Sequence, residues 1–323
     1  MRTAIAVLQA VAQTIQATAS PGGQPGGPGG PNGPPSGFSM TEAFFQLVQF
    51  VGYFLAIGAV GFRFGIVRQI RGMSEEAKSI LRADNAALVG VLGLVLLGFA
   101  FLGAPYIDSI MHHKTFTESL PKNRLQFEFK MTMLALALVG FLLVRAASSV
   151  GWAFAAIGIL LAALQPVYTG KFSSKVNAVH ISAASTWLGT LLVLMLIGIR
   201  GVTRSSTSGT QRAELVADLV NSFSPLALVA SAIVAITGAT TAWLHLKRIS
   251  SLWTTSYGMA LDVKLILVLI VVMLGAWNWR RVRPSLGAEG SEQTIRRSAR
   301  MELTFAALVL IVTSVLVSLP SPR

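Results

Sequence analysis

Residues 86–104 read AALVGVLGLVLLGFAFLGA, a stretch without a single charged side chain. A helix needs about 20 such residues to cross the hydrocarbon core of a bilayer. The whole chain has a similar character, because 53% of its 323 residues are hydrophobic and only 12% are charged. Soluble domains carry about 25% charged residues. The sequence therefore predicts a membrane protein.

Comparable apolar runs recur along the chain and predict eight transmembrane helices. In chain order the predicted spans occupy residues 43–67, 86–104, 127–147, 150–169, 177–199, 223–245, 259–279 and 301–319. The third and fourth spans join so tightly around residues 145–150 that they should form an antiparallel helical hairpin. The predicted fold class is all-α, a polytopic membrane protein built as a bundle of eight transmembrane helices.

Lysine and arginine cluster in alternate loops, which predicts the orientation of the bundle. The basic residues of these loops are Arg63, Arg68, Arg71, Lys78, Arg82, Arg145, Arg200, Arg204, Arg212, Arg280, Arg281, Arg283, Arg296, Arg297 and Arg300. Loops rich in Lys and Arg stay in the cytoplasm. We therefore expect both termini to be extracytoplasmic.

The N-terminal region has two parts. Residues 1–20 have a basic start, a mildly apolar middle and small residues near position 19, as in a signal peptide. The glutamines at 9, 13 and 16 also allow an interfacial amphipathic helix, so both interpretations stay open. Residues 21–39 are rich in Gly and Pro and predict a flexible tether.

Several kinds of chemistry are excluded by composition. The absence of cysteine removes disulfides, iron–sulfur clusters and thiolate metal sites. No phosphate-cradling Gly-rich motif and no Ser-His-Asp arrangement is present, so we expect no enzyme. The net charge of +13 is spread between apolar runs and does not form the basic patch of a nucleic-acid-binding protein.

The four histidines provide the main functional indication. With the predicted orientation, His112, His113, His180 and His245 all lie toward the extracytoplasmic side. Imidazole and thioether groups bind copper well, and Met111 directly precedes the His112-His113 pair. We therefore predict metal ligands among these five residues. Ordinary packing of the methionine, and a solvated loop for the pair, are the alternatives.

His180 is the strongest candidate, because ionisable side chains inside membrane helices are costly and usually functional. A simple hydrogen bond from its ring to a neighbouring helix is the competing interpretation. Trp187 lies two turns deeper and could cover a bound ion or pack against helices. The Ser185 and Gly189 pair would admit a second helix closely, which places this span near the bundle centre.

The segment from His180 to Gly189, HISAASTWLG, resembles the signature of the copper resistance protein D (CopD) family. The resemblance continues in order over roughly residues 176–319, through Gly238, Trp243-Leu244, LWTTSYG at 252–258, Lys264, Asn278, Arg283-Pro284 and RSARME at 297–302. It divides the chain into spans 1–4 (40–170) and CopD-like spans 5–8 (171–323). At the position where the family often has a Gly-His pair, this chain has Gly170-Lys171.

The resemblance implies a multi-pass protein of the bacterial inner membrane that transports copper or maintains copper homeostasis from the periplasmic side. Tyr257, Lys264 and Trp187 would then line its pathway. A periplasmic copper-binding protein or a larger membrane complex is the expected partner beside the lipid bilayer. Two alternatives stay open: an electron-transfer subunit with haem b between His180 and His245, and a non-catalytic CopD-like subunit of a larger complex.

Overall fold

The computed structural model describes residues 39–70, 81, 83–204, 209–246, 256–277, 280 and 291–318. The predictions for residues 1–20 and for nearly all of 21–39 fall outside this part of the chain. The described part contains helices and no strand, and eight of its helices are long and apolar enough to cross a membrane. The predicted all-α fold with eight spans is therefore confirmed.

The spans are labelled α1 to α8 in chain order. They are α1 (Met40–Val67), α2 (Asn85–Met111), α3 (Arg124–Arg145), α4 (Gly151–Thr169), α5 (Phe172–Thr203), α6 (Gly209–Leu244), α7 (Gly258–Trp277) and α8 (Ala299–Ser318).

Helices α1 and α5 form the centre of the bundle. In their most apolar stretches 72% and 67% of the residues are buried, more than in any other span. Helix α1 packs against α2, α5 and α8, and α5 packs against α4 and α6 as well. The predicted central position of the fifth span is confirmed.

Small residues bring α1 and α5 into backbone contact. A methyl group on Gly58 would overlap the backbone of Gly189, and one on Gly189 would overlap the carbonyl of Phe54. A side chain at Gly61 would likewise overlap the Thr190 hydroxyl. Without a hydrophobic driving force between helices in lipid, such close approach supplies the van der Waals contact that holds the spans together.

Both central helices contain π-helical turns at this contact. These turns cover Phe62–Val67 in α1, and Ser185–Gly189 and Leu194–Ile199 in α5. The hydroxyls of Ser182, Ser185 and Thr190 are buried along α5 and have no hydrogen-bond partner in the described part of the chain. Turns of this kind are frequent at functional sites.

The hairpin of α3 and α4 has the predicted form. Ala147 closes its turn with φ of 63°, a left-handed conformation that is uncommon for alanine. A Cβ on Gly158 would lie 2.6 Å from the backbone nitrogen of Ala137, so the two helices touch at their backbones. The hairpin prediction is confirmed.

Helices α2, α5 and α6 extend well beyond their predicted limits. Helix α2 continues through Pro105 to Met111, and α5 begins at Phe172, so His180 lies two turns inside the helix. Helix α6 begins at Gly209, well before the predicted residue 223. Its added turns bury Ala213, Val216 and Leu219, and the last two join a core cluster that also contains Ile66 and Val202. Tertiary packing therefore stabilises a helical segment that hydropathy alone does not mark.

Candidate functional site

The His180 side chain lies at the contact between α5 and α6. It is half-buried, and its Nδ1 atom is 3.0 Å from the hydroxyl oxygen of Thr237 in α6. The backbone carbonyl of Val234, also in α6, faces the ring as a second hydrogen-bond partner.

Gly238 makes room for the imidazole. A Cβ at this position would be 3.1 Å from Cε1 and 3.6 Å from Nδ1 of His180. Carbon atoms pack favourably at about 3.5–4.0 Å, so even a methyl group would press on the ring. Thr237 and Gly238 together hold one edge of the imidazole against α6. Gly238 belongs to the family resemblance, and this contact gives it a physical role.

Helix α7 carries a charged group that acts on His180. The Lys264 side chain is half-buried and interacts electrostatically with the His180 ring. Met259, also half-buried, precedes Lys264 by five residues on the same helix, which is about 7.5 Å along its axis. A thioether and an ammonium group are thus both carried by α7.

Trp187 lies where several spans meet. It is buried in one cluster with Phe54 of α1, Ala230 of α6, Val271 of α7 and Ala306 of α8. Five spans therefore contribute to the cluster that holds the indole. This burial agrees with the packing interpretation of Trp187, and its covering role toward an ion stays a prediction.

The outer loop residues form a separate group. Met111, the last residue of α2, is 65% exposed. His112 Nδ1 lies 2.9 Å from Asp108 Oδ1, and the exposed His113 has a φ of 51° in the turn that ends the helix. Helix α2 packs against α1 and α3, whereas His180 faces α6. The structure therefore does not assemble these residues around His180.

His245 and Tyr257 lie at the edges of the described residues, and their side chains fall outside the described part. The backbone of His245 follows Thr237 by eight residues in one continuous helix, which is ~12 Å along the axis. His180 is level with Thr237 and Gly238. Adjacent spans that run in opposite directions predict a similar depth for His180 and His245, and the offset along α6 shows that this prediction is wrong.

Lys171 lies at the beginning of α5, where it is exposed as the N-cap residue. Its side chain makes no capping hydrogen bond. Among the described residues no group of three or more His, Asp or Glu side chains could hold a metal ion. His180 thus belongs to no such group among these residues.

Sequence reasoning missed Thr237. The sequence shows three threonines in the segment ITGATTAW at 236–243, but hydroxyl residues are common in membrane helices. Their importance depends on the register between α5 and α6, which only the packed structure fixes.

The fold and the site define a class of protein: a polytopic helical membrane protein with an imidazole held between two neighbouring spans. Residues 217–316, nearly all of α6 to α8, match the family model of copper resistance protein D (CopD). The predicted CopD resemblance is thus confirmed for this segment. The match begins after His180 and Trp187, which lie outside it.

A curated relative points to the same metal. The chain is 31% identical over 144 residues to the copper transport protein CutJ of Bacillus subtilis (strain 168). This alignment covers 44% of the chain and 24% of the relative, so the chain matches about a quarter of that protein's length. No solved structure matches the chain. Together the two similarities support a copper-related function in a membrane protein.

Proposed function

We propose that this protein is a non-enzymatic transporter or homeostasis protein for copper in the bacterial inner membrane, with His180 as its interior ligand. The observation that carries the proposal is the His180 imidazole between α5 and α6, held through Nδ1 by the Thr237 hydroxyl. A neutral imidazole nitrogen is a good copper ligand. The similarities to CopD and CutJ support copper as the metal.

Copper would arrive from the periplasmic side. Met111, His112 and His113 offer exposed soft and borderline donors at the predicted outer end of α2, so they suit a first, weak contact with copper. A periplasmic copper-binding protein would be the natural donor to such a surface. His180 lies deeper, two turns inside α5, and would receive the ion next.

The proposal is tested with protein purified in detergent under reducing conditions. Copper(I) is titrated in competition with a chromophoric chelator, and metal content is measured after gel filtration. The wild type should bind copper, and His180→Ala should lose most of the affinity. The matched control is His113→Ala, which removes an exposed imidazole in the turn after α2 and should retain the interior affinity.

A cellular measurement completes the test. Cells that express the wild type should accumulate more or less copper than cells without it, and His180→Ala should abolish that difference at equal membrane expression. A wild type that binds no copper and leaves cellular copper unchanged would overturn the proposal. Binding retained by His180→Ala would remove His180 from it.

The two alternatives give different outcomes in the same preparation. A haem b subunit would show a Soret band in the visible spectrum. The ~12 Å axial offset between His180 and the backbone of His245 argues against that pair as axial ligands. A non-catalytic subunit would bring stoichiometric partner proteins through purification and carry no metal.

A further inference from the structure

The Thr237 hydroxyl has one proton, and it donates this proton in a hydrogen bond to the backbone of α6. The Thr237 Oγ1 atom lies 2.5 Å from the carbonyl oxygen of Ile233 and 3.3 Å from that of Val234. A carbonyl oxygen can only accept a hydrogen bond, so the hydroxyl donates to it. Bonds of this kind, to the carbonyl one turn earlier, are common for threonine in helices.

The hydroxyl can therefore only accept from His180. Its partner atom, His180 Nδ1 at 3.0 Å, must carry a proton. The carbonyl oxygen of Val234 also faces this imidazole as an acceptor. In a neutral imidazole one nitrogen is protonated and the other has a free lone pair. The lone pair is then on Nε2.

We propose that Thr237 is a positioning residue that fixes His180 in the Nδ1-protonated tautomer and so presents the Nε2 lone pair to a metal ion. The metal part of this inference rests on the proposed function. Metal-binding histidines usually donate their other N–H group to an oxygen acceptor, which sets both tautomer and ring orientation. Here Thr237 is that acceptor.

Gly238 strengthens the positioning. It lies against Cε1, so the ring edge that faces α6 cannot move closer to that helix. The hydrogen bond to Thr237 and the contact with Gly238 together keep the imidazole in one orientation on α6.

The tautomer can be measured without any metal. The full-length protein is labelled with ¹⁵N-histidine, reconstituted in lipid and studied by solid-state NMR, and His180→Asn identifies the signals of His180 among the four histidines. We expect a protonated Nδ1 and an unprotonated Nε2 in the wild type. Thr237→Val should introduce signals of a protonated Nε2, and Thr237→Ser should keep the wild-type pattern.

The control is Thr240→Val. Thr240 makes the same kind of bond to the carbonyl of Ile236, at 2.9 Å, on the same helix. This substitution removes an equivalent hydroxyl away from His180 and should leave the tautomer unchanged. A wild-type His180 protonated at Nε2, or a Thr237→Val spectrum identical to the wild type, would overturn the inference.

Copper binding then separates this inference from the proposed function. Thr237→Val should lower copper(I) affinity by about 10-fold or more, the usual effect of removing the acceptor behind a metal-binding histidine, whereas Thr237→Ser should restore it. If the wild type shows the expected tautomer and binds no copper, the function fails and the positioning of the ring stands. If copper binds equally well to Thr237→Val, the positioning role fails and the function stands.

Discussion

Gly58 in α1 lies directly against the backbone of Gly189 in α5, so that neither residue has room for a side chain. This contact joins the two most buried spans of the bundle. Gly61 meets Thr190 less than one turn further along α1. The orientation of α5, and with it the place of His180, depends on this close approach.

Gly58→Ala should therefore destabilise the protein. The added methyl group overlaps the Gly189 backbone, which cannot move aside like a flexible side chain. Overpacking of this kind costs about 1–3 kcal/mol. Thermal unfolding in detergent measures the loss. Gly98→Ala is the matched control, since a Cβ at Gly98 has no atom within 4 Å; an equal loss in both variants would contradict the backbone contact.

Trp187→Ala should cost about 3–5 kcal/mol of unfolding free energy, because the indole fills the junction of five spans and its removal leaves a cavity. Trp187→Phe should recover part of the loss. Trp243, which is 78% exposed on α6, serves as the control, and Trp243→Ala should change stability far less. A stable Trp187→Ala variant that loses only copper binding would instead make Trp187 a cover for the ion.

Gly238→Ala should weaken copper(I) binding while leaving the unfolding temperature nearly unchanged. The methyl group would meet Cε1 of His180 at 3.1 Å and push the ring from Thr237. Second-layer changes around metal-binding histidines reduce affinity by about 10-fold or more. Gly275→Ala on α7 meets no atom within 4 Å and is the control. If Gly238→Ala left the copper affinity unchanged, the His180 ring could shift away from Gly238 without any effect on metal binding.

The eight spans were predictable because hydropathy is a local property of the sequence. The run at 86–104 identifies α2 whatever surrounds it. The start of α6 at Gly209 was not predictable in this way. Its first turns mix Arg212, Glu214 and Asp218 with apolar residues, and they are helical because the apolar side packs on α1 and α5.

The site was predictable in part. His180 stands out because an imidazole in an apolar helix is costly, and the Ser185 and Gly189 pair correctly indicated a closely packed neighbour. The pairing of His180 with Thr237 joins residues 57 positions apart. It depends on the register of α5 against α6, which arises from contacts along the whole interface. For the same reason the sequence misplaced His245 at the depth of His180.

The orientation of the bundle leads to a labelling prediction. The chain has no native cysteine, so a single introduced cysteine can be labelled without background from other thiols. Lys114→Cys and Ser149→Cys place thiols in the loops after α2 and α3, where Lys114 and Ser149 are exposed. An impermeant maleimide should label position 114 in intact spheroplasts and position 149 only after the membrane is opened. The reverse pattern would place the termini in the cytoplasm and overturn the periplasmic entry route.

Lys264→Met should strengthen copper binding at His180. The ammonium group interacts with the imidazole and repels any cation on its open nitrogen, and removing one unit charge at such a site changes binding by on the order of 1 kcal/mol. The gain should be larger for divalent ions, since repulsion scales with ionic charge. The control is Lys130→Met. In the wild type the Lys130 ammonium group lies 4.8 Å from the ring centroid of Phe101 in α2. Weaker binding by Lys264→Met would make the lysine part of the ligand set, a role that requires its neutral form.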